Sequence, residues 1–189
     1  MKSPWGFIVE PFGGKLYKNE SKDGSFLVSS NMEDHKATNR EALIKSLPLG
    51  YVGPIKESAI VVVHHNVFRK YFDMAGKEQF SSDRIGENLY VVDTENVFAY
   101  KNDWSQDWEA VPGFCFVSPI DEDDSFQAPG EKTLYGVMNY PDDYLKSKDI
   151  APGDKVCFTP DSEYEFNLDG KKMYRVFSRD ICLVERQKK

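Results

Sequence analysis

The apolar positions along the chain predict short strands and little helix. Gly6-Phe7-Ile8-Val9-Glu10-Pro11, Ala59-Ile60-Val61-Val62-Val63, Asn88 to Tyr100, Gly113 to Pro119, Lys155-Val156-Cys157-Phe158 and Lys172 to Val184 are β-branched or aromatic runs stopped by Gly, Pro or Asp. Helical spacing is confined to a turn or two at Thr38 to Ser46 and Asp142 to Lys148, which Pro48, Pro141 and Pro152 bracket. One stretch departs from the strand pattern. Between Asp23 and Ile44, the tripeptide Phe26-Leu27-Val28 stands alone between Gly24 and a polar run that returns to apolar residues only at Ala42-Leu43-Ile44. An apolar tripeptide with no periodic partners in a long polar loop reads as a docking motif rather than a core segment.

The strand runs repeat. Gly113 to Pro119 has the form of Gly6 to Pro11, and Asn88 to Tyr100 matches Lys172 to Val184 with Tyr90 over Tyr174, Val92 over Val176 and Val97 over Ile181. Each half holds a further strand between, Ala59 to Val63 and Lys155 to Phe158, so the chain reads as a duplicated β domain. The expected division is 1–102 and 103–189, with a linker at about 102–111 in which Trp104 and Trp108 would pack on one or both domains. Closure removes exposed strand edges, so two small β-barrels are the expected architecture of this all-β chain. The copies differ in two places. The first has the long loop and an insertion at Phe72 to Asp83. The second has only the acidic link Ile120 to Lys132 and a tight hairpin at Asn167-Leu168-Asp169-Gly170, where Gly accepts the positive φ of a primed turn.

Charge narrows the partners. The net charge of -7 falls on the second half, because residues 1–102 carry 13 basic and 13 acidic side chains and residues 103–189 carry 11 and 18. With no basic stripe to offset it, nucleic acid is not expected as a partner. No apolar run reaches the length of a signal peptide or of a membrane span, so a cytoplasmic protein without membrane contact is expected. The three cysteines, Cys115, Cys157 and Cys182, lie in apolar strand-like runs without CxxC or zinc spacing and are expected to be small buried core residues. His35, His64 and His65 lie in no catalytic or metal-binding spacing. An EF-hand beginning at Asp121 would need Gly where Phe126 stands and Glu where Lys132 stands. No enzyme activity, metal or cofactor is expected.

The closing half of the second copy, Ile150-Ala151-Pro152-Gly153-Asp154-Lys155-Val156-Cys157-Phe158, then Leu168 to Val176 and Arg179 to Val184, resembles the GroES-type co-chaperonins, with their V-x-x-G-D-x-V-x-F strand, hairpin and Y-x-V-x-x-x-x-D-I-L-A strand. Asp23-Gly24-Ser25-Phe26-Leu27-Val28-Ser29-Ser30 looks like that family's G-G-I-V-L-T mobile loop, and Ala37 to Ile44 like the strand re-entry after it. Taken as two copies, the resemblance spans nearly the whole chain. It implies two tandem GroES-like barrels, with a mobile-loop-like segment at 23–41 in the first. It also implies a homo-oligomeric lid that docks on the apical domains of a GroEL-type chaperonin ring and assists ATP-dependent folding.

In that reading Gly24, Ser25, Phe26, Leu27 and Val28 bind the partner. Each apolar side chain would gain roughly 1.5 to 3 kcal/mol on burial, and ordering the loop would take back about 2 to 5 kcal/mol. Single loops then bind weakly and several bind strongly together. With no leader before Trp5, the setting implied is a bacterial cytoplasm or a phage-infected host. The alternative is a viral or phage structural or assembly protein that reuses the fold without a chaperonin.

Overall fold

In the computed structural model, which describes residues 1–17, 37–122 and 130–186, the chain divides into two units, Met1–Asp107 and Trp108–Lys189. Seven strands form in the first unit: β1 (Gly6–Pro11), β2 (Glu41–Ser46), β3 (Ile60–Val63), β4 (Lys70–Phe72), β5 (Glu78–Phe80), β6 (Tyr90–Asp93) and β7 (Val97–Lys101). Its sheet runs β6, β1, β2, β3, β7, antiparallel throughout, while β4 and β5 pair as a separate hairpin. The helical expectation for Thr38 to Ser46 fails over β2. There Ala42, Ile44 and Ser46 are buried and alternate with Glu41, Leu43 and Lys45, the two-residue period of a strand with one face in the core.

The second unit contains β8 (Glu109–Ala110), β9 (Phe114–Glu122), β10 (Gly130–Tyr140), the helix α1 (Asp143–Ser147), β11 (Lys155–Phe158), β12 (Tyr164–Leu168), β13 (Lys171–Phe177) and β14 (Ile181–Glu185). Its sheet runs β12, β13, β9, β10, β11, β14. The helical turn expected at Asp142 to Lys148 is α1, whose first turn is capped by Asp142 Oδ1 accepting from the Leu145 amide at 2.9 Å. Asp169 and Gly170, with φ of 50° and 78°, form the two-residue turn between β12 and β13. The acidic link is shorter than Ile120 to Lys132, because backbone pairing carries β9 to Glu122 and resumes β10 at Gly130.

The two sheets share one topology and one register. If β9, β10, β11, β13 and β14 are set over β1, β2, β3, β6 and β7, every neighbour relation is kept. Phe7 faces Val92 and Val9 faces Tyr90; Cys115 faces Val176 and Val117 faces Tyr174. The irregularities recur as well. Between β1 and β2 the pairing passes from Val9–Ile44 to Ile8–Ser46 and skips Lys45; between β9 and β10 it passes from Val117–Met138 to Phe116–Tyr140 and skips Asn139. Between β3 and β7 it skips Phe98, and between β11 and β14 it skips Cys182. A bulge alters the facing of every later side chain, so two shared bulges tie the copies residue by residue.

This register corrects the first match read from the sequence. Cys115 lies over Phe7, and Phe114 over Gly6, one residue along from the alignment of the two glycines. The matches of Tyr90 with Tyr174, Val92 with Val176 and Val97 with Ile181 hold.

Both units are all-β apart from α1 and short 3-10 turns. Among the described residues no pairing joins β12 to β14, or β6 to β7, so the sheets are not closed into barrels. The core of the second unit gathers Cys115, Val117, Met138, Leu145, Ile150, Val156, Phe158 and Val176. Cys115 meets the expectation of a buried residue, but Cys157 is half-buried and Cys182 is exposed. The reason is position: β14 is the last strand of its sheet, and its Leu183 and Val184 are exposed beside Cys182. Trp108 is buried within the second unit and donates from Nε1 to Asp169 Oδ2 at 3.0 Å. Trp104 stays largely exposed and packs a ring against Phe12 of its own unit, with centroids 4.8 Å apart.

Candidate functional site

The docking residues expected from the sequence, Gly24, Ser25, Phe26, Leu27 and Val28, lie outside the described residues, as does His35. The structure does describe the two ends of the segment that carries them. Tyr17 and Thr38 form an antiparallel bridge, and both are fully buried. Next to it, Asn39 works as a clasp. Its amide donates to the Leu16 carbonyl at 2.8 Å, and its Nδ2 donates to the carbonyls of Phe12 at 3.0 Å and Lys15 at 2.8 Å. Its Oδ1 accepts from the Glu41 amide at 3.0 Å, which starts β2. A buried amide side chain that satisfies three backbone groups fixes a local geometry more firmly than an apolar contact would. The described residues on either side of 18–36 therefore meet at one pinned place in the first unit.

The same clasp reaches the inserted hairpin. The Tyr17 hydroxyl accepts from the Lys70 amide at 2.7 Å and faces the Lys70 carbonyl at 3.4 Å, which anchors the first residue of β4. Beyond that anchor the hairpin turns apolar side chains outward: Tyr71 and Phe72 are 44% and 53% exposed, and Met74 at the turn is fully exposed. Tyr71 and Phe72 follow one another on β4 and so point to opposite faces of the two-stranded hairpin, which leaves large apolar side chains exposed on both faces and at its turn, where a partner could cover them. The turn stands on a built support. Asp73 Oδ1 accepts from the amides of Ala75 and Lys77, each at 2.9 Å, and Oδ2 accepts from Gln79 Nε2 at 3.0 Å. These bonds, led by the one from Gln79, hold the Asp73 carboxyl below its ordinary value of 3.8. On the return strand Phe80 is covered by the Arg84 guanidinium, 3.7 Å from its ring centroid, and approached by the Lys70 ammonium at 5.3 Å.

The first unit also holds an open cleft of about 310 Å³, lined by Glu10, Pro11, Phe12, Gly13, Gly14, Leu43 and Asn88. Its floor is the turn whose Phe12 carbonyl Asn39 holds. Clasp, hairpin and cleft all belong to the first unit; among the described residues of the second unit no separate two-stranded hairpin of the β4–β5 kind occurs, and the β12–β13 pair with its short turn stands at that point of the chain. The insertion at Phe72 to Asp83 was visible in the sequence as a difference between the copies, but its apolar tip was not read as a binding feature. The signal in the sequence is Tyr71-Phe72 and Met74 set among the charged residues Lys70, Asp73 and Lys77.

His64 and His65 stack with centroids 4.2 Å apart, and His64 Nδ1 accepts from the Asn66 amide at 3.2 Å in a local turn. Among the described residues no three His, Cys, Asp or Glu side chains are grouped to hold a metal ion, and no helix is long and apolar enough to cross a membrane. The chain matches no protein-family model and no curated protein.

Proposed function

We propose that the protein docks on a larger protein partner through its first unit, and that the partner is a chaperonin ring for which it acts as a co-chaperonin-like lid. The observation that carries this reading is the clasp of Tyr17, Thr38 and Asn39. It gathers both ends of the segment bearing Phe26-Leu27-Val28 at one place, beside a hairpin with exposed Tyr71, Phe72 and Met74. An apolar tripeptide held between fixed ends loses less freedom on binding than one on a free tail, and exposed apolar side chains of the neighbouring hairpin add area to the same contact. The duplicated topology and the resemblance of the closing strands to GroES-type co-chaperonins support the choice of partner. Tandem GroES-like domains, with several copies acting together, belong to the same proposal.

Capture of a GroEL-type chaperonin from solution with ATP tests it. The wild-type chain is expected to retain the ring, and the triple variant F26S, L27S, V28S to lose it while keeping its fold. Failure of the wild type to retain the ring at micromolar concentration would overturn the chaperonin reading. A second reading, a structural or assembly protein of a virus or phage, draws on β14, which ends its sheet with Leu183 and Val184 exposed. Native mass spectrometry showing ordered assemblies without chaperonin binding would favour it.

A further inference from the structure

The bulge between β11 and β14 brings two thiols together in the second unit. Cys157 faces Leu183 and Phe158 faces Ile181, so Cys182 is the extra residue on β14 and lies against Cys157. The Cys182 thiol donates to the Cys157 carbonyl at 3.2 Å, which places its sulfur against the Cys157 backbone. Their surroundings differ. Cys182 is exposed on the last strand of the sheet, whereas Cys157 is half-buried on β11, opposite Tyr135 of β10. In the first unit the equivalent positions are Val62 and Phe98, both buried hydrocarbon. The same bulge therefore carries a packed apolar pair in one copy and an accessible dithiol in the other.

We propose that Cys157 and Cys182 are a redox modification site, closed to an intrachain disulfide by a hydroperoxide and reopened by a thiol reductant. In the first step the exposed Cys182, as thiolate, attacks the outer peroxide oxygen. The O–O bond breaks, an alcohol or water leaves, and Cys182 becomes a sulfenic acid. In the second step the Cys157 sulfur attacks Cys182 Sγ, the S–O bond breaks, and the oxygen departs as water with the Cys157 proton. The two thiols together lose two electrons and two protons, and the peroxide takes them up. Burial and the neighbouring Cys182 raise the Cys157 thiol above its ordinary value, which leaves Cys182 to react first and Cys157 to resolve. Cys115 supplies an internal control: it is buried in the core, and burial pushes its thiol up to about 12. The bond would fix the bulge of β14 to its neighbour and so change how that edge strand can pair.

Peptide mapping of the full chain after stoichiometric hydrogen peroxide tests the site. The expected product is a Cys157–Cys182 bridge with Cys115 unmodified, reversed by dithiothreitol and formed equally in C115S. In C157S, Cys182 should instead proceed to sulfinic acid or to a dimer linked through Cys182. The proposal is overturned if the wild type gives chiefly Cys182-linked dimers or Cys182 sulfinic acid with Cys157 free. It is also overturned if the bridge forms no faster in the folded chain than in urea, because the fold would then contribute nothing to the pairing.

Discussion

Ser58 and Gly153 hold the same position in the two copies, each the third residue of a turn and each in the left-handed region, with φ of 67° and 96°. The hydrogen bonds around them correspond one for one. Ala59 donates to Lys56 and Asp154 to Ala151, both at 3.2 Å, while Ser58 donates to the Ile44 carbonyl at 3.0 Å and Gly153 to that of Met138 at 2.8 Å. One copy thus uses glycine where the conformation asks for it, and the other holds an exposed serine there.

That difference predicts opposite effects of exchange. A side chain in the left-handed region costs roughly 1 to 2 kcal/mol, and glycine's greater freedom in the unfolded chain offsets about half of it. S58G should stabilise the first unit by about 0.5 kcal/mol, whereas G153A should destabilise the second by about 0.5 to 1 kcal/mol. A Cβ at Gly153 would meet no atom within 4 Å, so backbone conformation alone sets its cost. Urea midpoints of the two variants against wild type check both signs.

Asn39 predicts a larger loss. N39A removes two donors and one acceptor from buried carbonyls and an amide, and should cost about 2 to 3 kcal/mol of the first unit's stability. N39D keeps the volume and the acceptor for Glu41 but turns a carboxylate oxygen toward the carbonyls of Phe12 and Lys15. It should be at least as damaging as N39A at neutral pH. If urea unfolding shows N39D close to wild type, the donors are not what secures the clasp.

Much of this architecture could be read from the sequence, and the limits have physical causes. Tyr90, Val92 and Val97 could be set over Tyr174, Val176 and Ile181 because strand, 3-10 turn and bulged strand follow one another without insertion in both copies. Gly6 and Gly113 differ by one position because Gly6 is the first residue of β1, paired with Asp93, whereas Gly113 lies in the turn before β9, and register is set by cross-strand neighbours rather than by a shared glycine. Barrel closure is expected because it removes exposed strand edges, but it depends on pairing between distant strands that no local pattern encodes. The cysteines were judged by their apolar neighbours. In β14 those neighbours are themselves exposed, since burial depends on what lies beyond the last strand. At the candidate site, the insertion was legible as a length difference, but the link from Tyr17 to Lys70 joins residues far apart in the chain and appears only in the fold.

Asp73 makes the hairpin turn sensitive to acid. Its carboxyl has a lower value in the folded hairpin than in the unfolded chain, so its contribution is fully present above the ordinary 3.8 and is lost as the pH falls through the folded value. The amides of Ala75 and Lys77, which Asp73 Oδ1 accepts, should exchange more freely with solvent below that range. D73N should remove the pH dependence while keeping an acceptor oxygen, and D73A should leave the turn loose at every pH. Amide shifts of Ala75 and Lys77 across a titration distinguish the three.

The apolar tip of that hairpin separates binding from folding. Tyr71, Phe72 and Met74 are exposed, so Y71S, F72S and M74S should each change stability by no more than about 0.5 kcal/mol. If the hairpin docks beside Phe26-Leu27-Val28, burial of one such side chain in the contact is worth about 1.4 kcal/mol, and each substitution should weaken partner binding about tenfold. The losses should reinforce those of the tripeptide variant, because both act in one contact on the first unit. The corresponding change in the second unit, at the Asp169-Gly170 turn, should leave binding untouched. Titrating each variant against the captured partner checks this. Equal affinity for wild type and F72S would take the hairpin out of the docking surface and leave the clasped segment to bind alone.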